Sequence, residues 1–195
     1  MTAGAAAAAV LLTPALALAH AGHLEAASFS AGFLHPLGGL DHLLAMVAVG
    51  LFAAMLGGAA IWLVPGAFLA MMAAGAALGI AGFGLPMVEL GIALSLVLLG
   101  MAIALRLNLA TLAAMAIVGF FALFHGLAHG AEMPAAGTPL IFGAGFLLAT
   151  ALLHGAGLLL GLVLGLSAAR TTLPSYRIGG GAIALAGAGL LAGLV

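Results

Sequence analysis

Cysteine and lysine are both missing from this 195-residue chain. Without cysteine there can be no disulfide, thiolate metal site, iron–sulfur cluster or cysteine nucleophile. Without lysine there is no P-loop and no Schiff base, so the chain cannot drive itself as a Walker-type ATPase. Charge of either sign is scarce: three arginines and four acids, 4% of the residues, with a net charge of −1. That leaves no basic patch for nucleic acid. Serines are few, and Ser95, the one well inside an apolar stretch, lies in no G-x-S-x-G turn. No enzyme activity is expected. What fills the chain is apolar: 67% of its residues, against about 45–50% in ordinary soluble domains. A water-soluble globular domain is excluded, and the solvent is a lipid bilayer.

Ala3 to Ala19 form a short apolar stretch, interrupted by Pro14 and closed by Ala17-Leu18-Ala19. An apolar core followed by a small-x-small site reads as a signal peptide over residues 1–19, cleaved in the mature protein. Its first four residues, MTAG, carry no Lys or Arg, which departs from the usual pattern. Residues 20–33 would then be a periplasmic N-terminal segment and 34–195 a transmembrane domain. Six apolar spans follow: Leu34–Leu56, Ala59–Ala81, Met87–Leu105, Leu109–Gly130, Leu140–Leu166 and Ile178–Leu194. Each is close to the length of about 20 residues that a helix needs to cross. Breakers separate them: Gly57-Gly58, Gly82 to Pro86, Asn108, Pro134 to Pro139, and Pro174. The expected fold is all-α, a polytopic bundle of six transmembrane helices.

With the mature N-terminus outside, Arg106, Arg170 and Arg177 all fall in cytoplasmic loops, as the positive-inside rule requires. Glu25, Asp41, Glu89 and Glu132 then lie at the outer face of an inner membrane. Glycine supplies 31 residues. Gly75 and Gly79, Gly126 and Gly130, and Gly157, Gly161 and Gly165 recur at the spacing that lets helix backbones touch in lipid. A close-packed bundle is expected, and nothing in the sequence fixes whether it forms an oligomer.

Against this background seven histidines stand out. A charged residue at the centre of a membrane helix costs roughly 2.5–3.5 kcal/mol on insertion scales, so such residues face an interior or a water-filled path. The first cluster is HPLGGLDHLLAMVAVG, His35 to Gly50. Pro36 and Gly38-Gly39 loosen its start. His35 and His42, seven residues apart, would share one helical face, with Met46 a turn further. Asp41 adds an anionic oxygen. The second cluster is FHGLAHGAEMP, Phe124 to Pro134. His125 and His129 are spaced i, i+4, about 6 Å apart at Cβ, and Glu132 follows a turn later. Two histidines one turn apart commonly hold a divalent metal. His154 lies deeper in the fifth span, where a helix–helix hydrogen bond is the plainer account of a lone histidine. Glu89 begins the third span as a helix N-terminal acid or a cation attractor. Cleavage after Ala19 would leave His20 and His23 beside a free amine, a further place for metal capture. Spans one and four run in opposite directions, so both clusters reach the outer face. That describes a mouth and a route inward.

Imidazole and carboxylate without thiolate suit nickel, cobalt, zinc or copper(II). Binding needs neutral imidazoles, so occupancy should fall as the pH drops below about 6.5. HPLGGLDHLLAMVAVG resembles the first-helix signature of the HupE/UreJ family, and FHGLAHGAEMP resembles its second conserved region. The signal, six spans and short length match as well, so the resemblance covers essentially the whole chain. It implies a nickel or cobalt permease, often encoded beside nickel hydrogenases or ureases, with links to their maturation. By this resemblance His35, Asp41 and His42 correspond to the first metal motif, and His125, His129 and Glu132 to the second. The expected activity is passive or secondary uptake of Ni²⁺, or of Co²⁺, with the ion as cargo and no permanently bound cofactor. His154 would receive the ion deeper in the bundle. A metal-binding accessory or sensor for a nickel enzyme that moves nothing is the alternative. A bis-histidine haem protein of the membrane is a more remote one.

Overall fold

The computed structural model of the protein describes residues 28–133, 138–170 and 175–193. The expected signal peptide, His20, His23 and Glu25 lie outside the described residues. A short helix α1 (Phe29–Leu34) passes into a 3-10 turn (His35–Leu37). Then come α2 (Leu40–Leu56), α3 (Ala60–Ile80), α4 (Val88–Ala104), α5 (Thr111–Ala131), α6 (Pro139–Arg170) and α7 (Ser175–Leu191). The fold is all-α, as the uninterrupted apolar spans require. Glycines end two of the helices in left-handed backbone, Gly57 at φ 72° after α2 and Gly82 at φ 85° after α3. Those conformations admit glycine with little strain.

The first span is not one straight helix. Ser28 caps α1 by accepting the Ala31 N–H at 3.1 Å. Pro36 then has no N–H for the helical ladder, and Gly39 adopts an extended conformation (φ −111°, ψ 127°) before α2 begins. The two segments meet at 84°. The expectation that His35 and His42 share one helical face is thereby corrected: they sit on separate segments, and each ring approaches His129. Gly39 also makes room locally, since a Cβ there would stand 2.6 Å from Asp41 Oδ1 and 3.1 Å from His42 Nδ1.

Helices α3 and α5, and α6 over Pro139–Gly165, are long and apolar enough to cross a membrane, and the bent α1–α2 pair makes a fourth span if counted as one. Helix α4 is a shorter apolar helix of 17 residues, about 26 Å against a hydrocarbon core of about 30 Å. Large apolar side chains project from the outside of the bundle, Trp62, Leu112, Leu140 and Leu185 among the most exposed. Water would not tolerate such a surface, and lipid does. The protein is a multi-pass membrane protein.

Inside, the helices approach through glycine. A Cβ on Gly126 would fall on the Met72 carbonyl, and one on Gly130 on the Ala76 carbonyl. Gly75 and Gly79 meet α5 from the other side, at the Leu123 and Leu127 carbonyls. The α3–α5 contact is the most extensive among the described helices. Because Gly126 and Gly130 each follow a histidine, this contact fixes where His125 and His129 stand. Gly50 of α2 rests in the same way on the His154 carbonyl of α6, and Gly157 on that of Val47. Phe52, Phe68, Leu51 and Met46 fill the core between.

The charges divide between the two ends. Asp41, Glu89 and Glu132 gather where α2 and α4 begin and α5 ends. Arg106 lies past the opposite end of α4, its guanidinium 5.8 Å from the Tyr176 ring centre, and Tyr176 donates its hydroxyl proton to the Gly161 carbonyl.

Candidate metal site

The acidic end of the bundle opens into a cleft of about 560 Å³. His35, Asp41, His42, Glu89, His129 and Glu132 line it. Six of the expected site residues thus come together although four separate segments supply them. Exposure falls steadily inward. The Glu132 side chain is 63% exposed, His35 36% and His42 14%, while His129, His125 and His154 are buried.

The contacts form a continuous series. Glu132 Oε2 lies 3.8 Å from His35 Nε2, and His35 Nε2 lies 3.1 Å from His129 Nδ1. One of that histidine pair carries the shared proton. The rings of His129 and His42 are 4.3 Å apart between centres, and those of His42 and His125 are 5.2 Å apart. Both α5 histidines therefore face His42, as their i, i+4 spacing demands. Phe68 of α3 follows, 5.6 Å from the His125 ring and 5.0 Å from the His154 ring. From mouth to core, each ring touches the next.

Hydrogen bonding sets which nitrogens are bare. Asp41 as a carboxylate can only accept, so His42 Nδ1 donates to Asp41 Oδ1 at 2.9 Å. His42 Nε2 is then left without a proton in the neutral ring, buried and without a partner. A similar device acts one level down. Ser95 Oγ gives its proton to the Ile92 carbonyl at 2.6 Å, so the His125 Nε2–H must donate to Ser95 Oγ at 3.2 Å. That assigns the lone pair to His125 Nδ1, which is also buried and unpartnered. Carboxylate and hydroxyl partners that orient a metal-ligating imidazole in this way are common features of metal sites. His129 Nε2 and both ring nitrogens of His154 are unpartnered as well.

One set of atoms already has ligand spacing: His35, His129 and Glu132 each offer an atom within 4.8 Å of the others. Two imidazoles and a carboxylate around an exposed mouth suit a borderline divalent ion. Of the remaining expected residues, Glu89 lines the cleft and is exposed. Met46 is fully buried in the apolar core.

Reading the sequence for metal ligands missed Ser95 and Phe68 as parts of this region. Ser95 carries the signal that marks the histidines, a polar group inside an apolar span. Phe68 carries none, because an aromatic residue in a membrane helix is ordinary.

The family model described as "HupE / UreJ protein" matches residues 8–190 of the chain. "Protein HupE" of Rhizobium leguminosarum bv. viciae is 48% identical over 188 residues, covering 95% of each sequence. No solved structure matches.

Proposed function

The chain belongs to the HupE/UreJ family, and from that premise we propose that it admits Ni²⁺, or Co²⁺, across the bacterial inner membrane as a passive or secondary permease. The observation that carries this reading is the unbroken series from Glu132 through His35, His129, His42 and His125 to Phe68 and His154. A site meant only to hold an ion needs one shell of ligands. This one continues inward with bare nitrogens at each level.

In this reading Glu132 and Glu89 attract the hydrated ion to the cleft. His35 and His129 replace part of its water, with Glu132 as the anionic ligand. His42 takes it next through Nε2, held in orientation by Asp41, whose carboxylate also offsets the ion's charge. His125 and then His154 receive it below. Moderate affinity at several stations lets an ion leave as well as enter. An inside-negative potential of 100 mV favours entry of a divalent cation by about 4.6 kcal/mol, roughly three decades in concentration. No ATP is needed.

The same reading takes the acidic end as periplasmic. It has six crossings over residues 34–195, a cleaved signal over 1–19 and a periplasmic segment over 20–33. The place of Arg106, at the end of the bundle opposite the cleft, supports that orientation. The consumers of the ion would be the maturation systems of nickel hydrogenase or urease. A haem between the histidine pairs is disfavoured, because rings as close as 4.3 Å and backed by Phe146 leave no slot for a macrocycle.

Purified protein in liposomes that trap a nickel-sensitive dye tests the proposal. Accumulation of nickel driven by an inside-negative potential is expected. Stoichiometric binding with no accumulation would reject a permease and establish a metal-binding accessory or sensor.

A further inference from the structure

Beneath the cleft the bundle holds a second group of polar atoms that the outer ligands do not use. Thr150 and His154 lie four residues apart on α6, so their side chains rise from one face, about 6 Å apart at Cβ. Thr150 is fully buried and His154 is 2% exposed. Neither Thr150 Oγ1 nor either nitrogen of His154 has a hydrogen-bond partner among the described residues. A threonine inside a helix commonly bonds back to the carbonyl one turn earlier, but Thr150 does not. His154 is likewise not paired with a neighbouring helix, the ordinary role for a lone membrane histidine. A buried polar atom without a partner is costly enough that such atoms call for a role.

The group is set apart from the cleft. Among the ring contacts of the described residues, His154 meets only Phe68, whose other contact is His125. On that far side Ser95 leaves the lone pair of His125 Nδ1 free.

We propose that Thr150 Oγ1 and His154 form a second, inner station for a borderline divalent cation, reached from His125 past the Phe68 ring. The inference rests on the permease reading and adds a site with its own composition. One imidazole and a hydroxyl suit a first-row ion that keeps most of its water. Neither donor is a carboxylate. The ion's charge is left uncompensated there, and the inner station binds more weakly than the mouth. That is the order of affinities an exit step requires.

Cobalt(II) titration of the purified full chain in nanodiscs tests this, followed by visible absorption and by counting bound ions. The wild type should bind one ion more per chain than the Thr150→Val/His154→Gln variant. The ion lost should be the weaker, by at least tenfold, and the tighter step should be unchanged within twofold. Thr150→Val alone keeps the side-chain shape and should weaken only the weaker step. Thermal unfolding of Thr150→Val should be unchanged or raised, since that variant removes only a hydroxyl that bonds to nothing among the described residues. Equal ion counts in the wild type and the double variant would overturn the inner station and leave the mouth intact. If instead His129→Ala removed no ion, the outer reading would fall.

Discussion

His42 Nδ1 donates to Asp41 Oδ1 at 2.9 Å, and this one bond decides which nitrogen of His42 is bare. Adjacent residues at a helix start seldom face each other. Here the extended Gly39 and the absence of a Cβ beside Asp41 Oδ1 let the carboxylate fold over the ring. In the proposed function the pair would act as an oriented ligand with its charge partner attached.

Asp41→Asn should therefore weaken nickel binding about 10–100-fold, the range for loss of an orienting partner. The fold should survive, because Asp41 is partly exposed and near-isosteric with asparagine. Equilibrium dialysis with radioactive nickel measures the affinity, and thermal unfolding reports the fold. Unchanged affinity would show that His42 needs no orienting carboxylate.

Ser95→Ala should act through His125. It leaves Nε2–H without its acceptor in a fully buried ring, at about 1–3 kcal/mol of stability. It also removes the bias that keeps Nδ1 unprotonated. Ser95→Thr retains the hydroxyl and should restore part of both effects. Unfolding and nickel binding, measured on both variants, separate the hydroxyl's role from a simple change of volume.

Gly126→Ala should lower nickel binding without touching a ligand. The added methyl would meet the Met72 carbonyl and push α3 from α5, moving His125 and His129 with it. A destabilisation of about 1–3 kcal/mol is expected from such overpacking. Gly66→Ala on α3 is the control, since nothing lies within 4 Å of a Cβ there. Equal effects of the two substitutions would argue against the glycine contact as the element that sets the histidine row.

The two mouth acids should behave differently. Glu132 lies within ligand spacing of His35 and His129, whereas Glu89 only lines the same cleft. Glu132→Gln should weaken equilibrium binding about tenfold at any ionic strength. Glu89→Gln should slow uptake chiefly at low salt, where long-range attraction counts. Uptake rates and dissociation constants at two salt concentrations distinguish a ligand from an attractor.

Much of this was legible from residue types alone. The lack of charge forces the chain into lipid, and the breakers place the ends of α3, α4 and α5 within two residues of their expected positions. The i, i+4 histidines of α5 face a common partner, as helical spacing requires. The sense of the first cluster was harder to read. Pro36, Gly38 and Gly39 signalled irregularity, but not an 84° turn that brings His35 back over His129. Such a contact joins residues 94 positions apart, and no local pattern encodes it. Tautomers were hidden for the same reason: the proton on His125 depends on where Ser95, 30 residues away, sends its own.

The central claim is that nickel crosses by way of the histidine series. Its most direct test is the initial rate of radioactive nickel uptake into liposomes held at a fixed inside-negative potential of about 100 mV. Wild type, His42→Ala and His129→Ala proteins would be compared at equal incorporation. The account predicts potential-dependent uptake by the wild type, reduced at least tenfold in each variant. Wild-type rates in both variants would contradict it.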